Sequence, residues 1–219
     1  LGSIQAGALI IVALLLWRVE LGGRWSPWAL VPVILLSFIP YFIAVYVCAH
    51  RQSATNARAI LLFAILFRVI LWATPPVLSD DIYRYVWEGK VQHYGFNPYQ
   101  HAPNDEVFST FRVHKNTFLF DHVNHPHIPA IYPPLSQIVF WSVAWLASPI
   151  ALLKFLFGAI DVLNVWLLIC ILRERKMPPQ FALIYAWNPL PVIEFAGSGH
   201  LLSLAICLFL LAYLAMLRD

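Results

Sequence analysis

A polar stretch, residues 74–133, interrupts a chain that is otherwise apolar almost throughout, and this contrast limits what the chain can fold into. Hydrophobic residues make up 61% of the sequence and charged residues 11%, against roughly 25% charged in soluble domains. Mean hydropathy is +0.72. A sequence of this kind reads as an integral membrane protein, all-α, with a multi-span helical bundle and one long extracytoplasmic loop that contains juxtamembrane helices. Its many Trp, Tyr and Phe suit the anchoring belts at the two bilayer surfaces. The net charge of +3 is small and scattered, which excludes a nucleic-acid partner. Cys48, Cys170 and Cys207 all fall in apolar segments, so neither a disulfide framework nor a thiolate metal site is indicated.

In chain order, spans are expected at about residues 4–17, 28–48, 59–73, 150–172, 180–195 and 199–217. A polar turn with Arg18, Glu20, Gly22, Gly23 and Arg24 follows the first, and Trp25 and Trp28 mark the entry to the second. Pro32 and Pro40 are expected to kink that second span. The link 51–58 carries Arg51 and Arg58 and no acid, so the positive-inside rule places it in the cytoplasm and residues 74–133 outside. Residues 135–148 are too short for the roughly 20 residues a bilayer needs. Read as an interfacial or re-entrant helix, they leave the basic cluster 173–176 in the cytoplasm and 197–200 outside; a full crossing stays open. The start at Leu1 and the apolar run into Asp219 read as the N-terminal portion of one larger transmembrane domain, with no cleavable leader evident.

The loop 74–133 holds six of the eleven acids and six of the eight histidines. A polar connection this long between apolar spans is more often functional than a tether. Pro75 and Pro76 end one helix, Ser79 is placed to cap the next, and Asp80 and Asp81 fall in its first turn. Asp81, Arg84, Tyr85 and Glu88 recur at helical spacing and share a face. Gly95, Asn97 and Pro98 close the helix. An aspartate held at the membrane surface can accept the proton of an acceptor hydroxyl as a new bond forms. A departing phosphate needs positive charge; Arg84 is one turn away, with Lys90, Arg112 and Lys115 further along. His122, His125 and His127 lack any metal-ligand spacing, and Pro126 and Pro129 break helical geometry there. His125 and Tyr132 are instead expected to hydrogen-bond within the loop or to substrate. In the spans, Arg68, Asp161 and Asn164 are costly in hydrocarbon and should face the bundle. An Arg68–Asp161 pair is one way to satisfy two of them. Glu194 and His200 flank the Gly197 break on the side of Asp81.

The run DDIYRYVWEG, followed by GFNPY and then IYPPLSQ, resembles the first long extracytoplasmic loop of the GT-C superfamily of integral membrane glycosyltransferases, bacterial mannosyltransferase-like members in particular. KFLFGAIDVLNVWLL and the later WNPLPVIEFAGSGH are similar to the first mannosyltransferase of glycosylphosphatidylinositol assembly. Asp81, Arg84 and Tyr85 look like the acid-x-x-Arg-Tyr run of the aminoarabinose and protein mannosyl transferases. The resemblance spans about 80–200. It implies inverting transfer of a sugar, mannose first among them, from a polyprenyl-phosphate donor to a lipid or glycan acceptor. Asp81 would be the base and Asp80 a second carboxylate, binding acceptor hydroxyls or a divalent cation (Mg or Mn). Tyr85, Asn97, Tyr132 and Gln137 would line the site. After His200 the chain reads LLS where relatives often carry an acid. The resemblance also implies a multi-pass protein of the bacterial cytoplasmic membrane, with membrane lipids around it and the site facing outward. Two other readings remain at this stage. A non-catalytic transporter or lipid flippase would carry ionisable residues in two related repeats, and no repeat is visible. A metal-binding scaffold would use the histidine-rich loop.

Overall fold

The computed structural model describes residues 1–20, 30–50, 56–115 and 117–218, with the side chains at 19, 20 and 113–115 left out. Gly22, Gly23, Arg24, Trp25, Trp28 and Arg51 therefore lie outside the described residues, as do the side chains of Glu20 and Lys115. Every regular element among the described residues is helical: α1 Gly2–Glu20, α2 Leu30–His50, α3 Ala57–Trp72, α4 Asp81–His93, α5 Ser109–Lys115, α6 Thr117–Asp121, α7 Pro134–Ala144, α8 Pro149–Glu174, α9 Leu183–Ala186, α10 Pro189–Pro191 and α11 Leu202–Arg218. Two of them, α2 and α8, are long and apolar enough to cross a membrane; α1, α7 and α11 are shorter apolar helices.

The chain forms two compact units, Leu1–Val77 with Lys154–Asp219, and Leu78–Leu153. In the first, α1 packs on α2 and α3. Arg68 on α3 is 3% exposed and Asp161 on α8 is fully buried. Arg68 Nε and Nη2 donate to Asp161 Oδ2 at 2.9 and 2.6 Å, and Nη1 donates to the carbonyls of Ala186 (2.6 Å) and Ala64 (3.2 Å). Tyr185 Oη donates to Asp161 Oδ1. A charge away from water costs several kcal/mol unless it is paired and hydrogen-bonded, so the pair expected from complementary charge is the anchor of this unit. Lys154 Nζ donates to the carbonyls of Leu71 (3.4 Å) and Thr74.

Residues 180–195 do not form the continuous span expected of them. A 3-10 turn Pro179–Ala182, α9, α10 and a π-helical turn Val192–Ser198 follow one another. Pro189 and Pro191 remove backbone donors that a through-helix would use, and the Asn188 side chain caps the restart by accepting from Leu190 N (3.0 Å). Gly199, at φ 78°, then reverses the chain before α11.

In the second unit α4 is the core. Residues 82–89 are all buried, although the segment reads as polar. Trp87 is enclosed by the rings of Phe108, Phe111 and Phe120, and Tyr85 stacks on Phe140 of α7 at 4.5 Å. Pro134 occupies the first turn of α7, where a missing N–H costs nothing. The helices touch at Gly89, where an added Cβ would lie 2.3 Å from the Phe140 carbonyl oxygen and 2.6 Å from the Ala144 Cβ. Gly89→Ala is expected to lower stability by about 3 kcal/mol, at the upper end for overpacking because backbone must yield. Thermal unfolding of the purified variant checks this, and an unchanged melting temperature would contradict the contact.

Candidate active site

Asp81 opens α4. Asp80 sits at the cap position without a side-chain capping bond, and Ser79 Oγ accepts from Asp81 N at 3.3 Å. The expected cap is thus shifted by one residue: Ser79 serves the helix start while Asp80, exposed, stands just before it. Asp81 is half-buried, and its Oδ1 accepts from Asn124 Nδ2. The Asn124 amide orients the carboxylate at the start of α4.

Behind Asp81 lies Arg84, 3% exposed. A guanidinium has five N–H donors, and each meets an oxygen. Nε donates to Glu88 Oε1 (2.8 Å); Nη1 to the carbonyls of Asn124 (3.1 Å) and His125 (3.0 Å); Nη2 to those of Ile128 (2.6 Å) and Pro129 (3.0 Å). With every donor engaged and the side chain sealed from solvent, Arg84 has nothing left to offer a phosphate. Where the sequence suggested a contact with the leaving group, the structure places Arg84 on the loop 124–129. It also supports the backbone of His125, a non-glycine residue at φ 45° whose conformation is strained. The His125 contribution to the site runs through that carbonyl, while its ring is exposed.

Glu88 completes the network. Gln137 Nε2 donates to its Oε2 at 2.6 Å, and Gln137 Oε1 accepts from Gln92 Nε2 at 2.8 Å. Burial holds the Glu88 carboxyl above its ordinary range, against the lowering by Gln137 and Arg84. Because the folded value is raised, its protonation favours folding most below the unfolded pKa, and that contribution fades as pH rises through the folded value. Tyr132 is half-buried, edge-on to Tyr85 at 5.1 Å. Its hydroxyl is pushed up to about 12 by burial first and then by the negative charges of Asp81 and Glu88, so it stays protonated as a donor at neutral pH.

The expected site residues therefore divide. Asp80, Asp81, Asn97, His125 and Tyr132 reach the surface of this unit. Tyr85, at 1% exposure, and Gln137, at 4%, lie in its interior, where the sequence suggested lining residues. His200 lies in the other unit, its Nε2 3.4 Å from Glu194 Oε2. Arg112 is spent on the carbonyls of Pro103 (3.0 Å) and Asp105 (2.8 Å) and lies over the Phe120 ring. Sequence reasoning missed Asn124, whose only signal is a short amide between His122 and Pro126, and Gln92, one turn after Glu88 on the same face.

Among the comparisons with known proteins, the family described as Alpha-(1->6)-mannopyranosyltransferase, N-terminal domain, matches residues 1–219. No curated protein and no solved structure matches.

Arg84→Lys keeps the charge but loses the planar fork. It is expected to cost about 3 kcal/mol, as when one partner of a buried pair is removed, and to open 121–130 to proteases. Melting temperature and limited proteolysis read both effects; an intact loop at wild-type stability would show the fork is dispensable.

Proposed function

This chain belongs to the alpha-(1->6)-mannopyranosyltransferase family, matching its N-terminal domain over all 219 residues, and on that premise we propose how it transfers mannose. It is a glycosyltransferase of the GT-C type. Donor, stereochemistry and base are our reading. The donor is a polyprenyl-phosphate mannose and the acceptor a glycan or lipid-linked glycan hydroxyl. Asp81 takes the hydroxyl proton, the freed oxygen bonds to C1 of the mannose, and the C1–O bond to phosphate breaks with its electron pair leaving on the phosphate. Inversion at C1 yields an α product only from a β-linked donor, so the donor is read as β-configured.

The observation that carries this reading is the orientation of the Asp81 carboxylate by Asn124, on a loop that Arg84 holds by four carbonyls. A general base works only when held within hydrogen-bond reach of its proton. Tyr132, kept protonated, donates to a sugar or phosphate oxygen beside it. Asn97 is a proposed substrate contact, and Asp80 binds acceptor hydroxyls or a divalent ion. No group of three or more His, Cys, Asp or Glu among the described residues is arranged around a metal. Such an ion would thus rest on the two aspartates together with substrate oxygens. The proposed setting is a multi-span helical bundle in a bacterial cytoplasmic membrane, with the loop 74–133 facing outward. The short reach of α1, α3 and α11 for a bilayer is met there by local thinning and by snorkelling of flanking residues.

Asp81→Asn is expected to lower kcat by a factor of about 10²–10⁴, the usual range for a general base, with the melting temperature retained. Transfer of labelled mannose from polyprenyl-phosphate mannose in membranes measures this, and full activity would move the base elsewhere. Asn124→Ala should lower kcat by about tenfold through misplacement of Asp81, with less effect on KM. The same assay with EDTA assigns Asp80. Loss of transfer restored by Mg or Mn ties Asp80 to an ion, and persistence ties it to acceptor hydroxyls.

A further inference from the structure

A cleft of about 370 Å³ opens beside the C-terminal end of α4, lined by Gln92, Phe96, Asn97, Tyr99 and Trp141 around the turn at Gly95. Its rings are set in place. Trp141 is 48% exposed and stacks on His93 at 5.0 Å, with His93 Nε2 2.7 Å from the Trp141 carbonyl oxygen. Tyr99 is 42% exposed, its hydroxyl donating to the Tyr132 carbonyl at 2.5 Å. Large rings held open to solvent by polar tethers are costly to leave uncovered and serve as binding faces.

The two amides in the cleft are oriented by bonds that admit only one assignment. Asn97 Oδ1 accepts from Tyr99 N at 3.0 Å. A backbone N–H can only donate, so the oxygen must face it and Asn97 Nδ2 is the remaining end, with no partner among the described residues. Gln92 Nε2 donates to the Glu88 carbonyl at 3.0 Å. A carbonyl can only accept, so Gln92 Oε1 is the remaining end, also without a partner among the described residues. The cleft thus offers one fixed donor and one fixed acceptor beside aromatic rings, and no lining residue carries a formal charge. A phosphate would find no cation there. A sugar ring fits: its C–H face lies on an aromatic ring, and its hydroxyls both donate and accept.

We infer that this cleft is a subsite for an uncharged hexose of the acceptor glycan, held away from the reacting hydroxyl, with Trp141 as its platform and Asn97 and Gln92 reading its hydroxyls. This rests on the mannosyl-transfer reading and adds to it a preference for an extended acceptor. Gln92 also ties the cleft to the Asp81 network through Gln137, Glu88 and Arg84, so occupancy bears on the same buried bonds that hold the loop 124–129.

The test compares α-1,6-linked mannotetraose with methyl α-mannoside as acceptors for the full-length protein, wild type against Trp141→Ala and Asn97→Asp. The second variant keeps an oxygen for Tyr99 N and replaces the donor with a charged acceptor oxygen, so it remains informative if the first fails to fold. The ratio of the tetraose KM to the methyl mannoside KM is expected to rise about tenfold in each, the effect of losing one anchoring contact. Unchanged ratios, or equal rises for both acceptors, would overturn the subsite while leaving mannosyl transfer intact. If the wild type transfers no mannose, the underlying reading fails, and calorimetric titration with mannotetraose still decides the cleft. Binding weakened about tenfold in the variants upholds the subsite. Equal binding, or none to the wild type, overturns it.

Discussion

A guanidinium withdrawn from water must place five N–H groups on oxygens, and no regular helix supplies them. Arg84 solves this by drawing in the carbonyls of Asn124, His125, Ile128 and Pro129 and the carboxylate of Glu88. Much of the second unit follows from that demand. The loop 124–129 is shaped to deliver its carbonyls, down to the left-handed backbone of His125. Glu88 is buried to balance the charge. Its second oxygen then needs a donor, which Gln137 provides from α7. Removing the arginine would strand all of these groups at once, and so the loop beside Asp81 depends on a residue buried in the interior of the unit.

The same logic separates the carboxylates by role. Glu88 is sealed among its partners and its burial favours the protonated form. Asp81, at the start of the same helix, is half-buried, faces the helix's positive end and is oriented by Asn124. Two acids two turns apart on one helix thus take different places, one locked among buried partners and one held near the surface. The difference arises from depth in the fold, since their chemistry is nearly identical.

The membrane-type unit is organised by a parallel constraint. Arg68 and Asp161 would be prohibitive in an apolar interior singly, and together, with Tyr185 and the Ala186 carbonyl, they join α3, α8 and α9. Neither ion pair is a source of large net stability, because desolvation offsets most of the attraction. Each instead specifies which segments meet, as a mispaired arrangement would leave a naked charge.

Much was legible along the chain. Hydropathy alone locates α2, α8 and the shorter apolar helices, because burial in an apolar medium demands long runs without charge. The Pro75–Pro76 pair and Ser79 mark where α3 ends and α4 begins, and the spacing of Asp81, Arg84 and Glu88 puts them on one face, since these are local rules of helix geometry. The order of the short motifs also pointed to the family. What periodicity could not show was which way that face looks: inward for Arg84, Tyr85 and Glu88, outward only at Asp81. That orientation is decided by partners 40 to 45 residues away, as the Arg68 bond is by one 93 residues away. The break at 187–198 was hidden for a related reason. Its residues are as apolar as a span, and only the fold reveals that two prolines and an asparagine cap divide it. Distances along the sequence carry helix, turn and hydrophobic run; the pairing of buried charges is settled only when distant segments compete for the same few donors and acceptors.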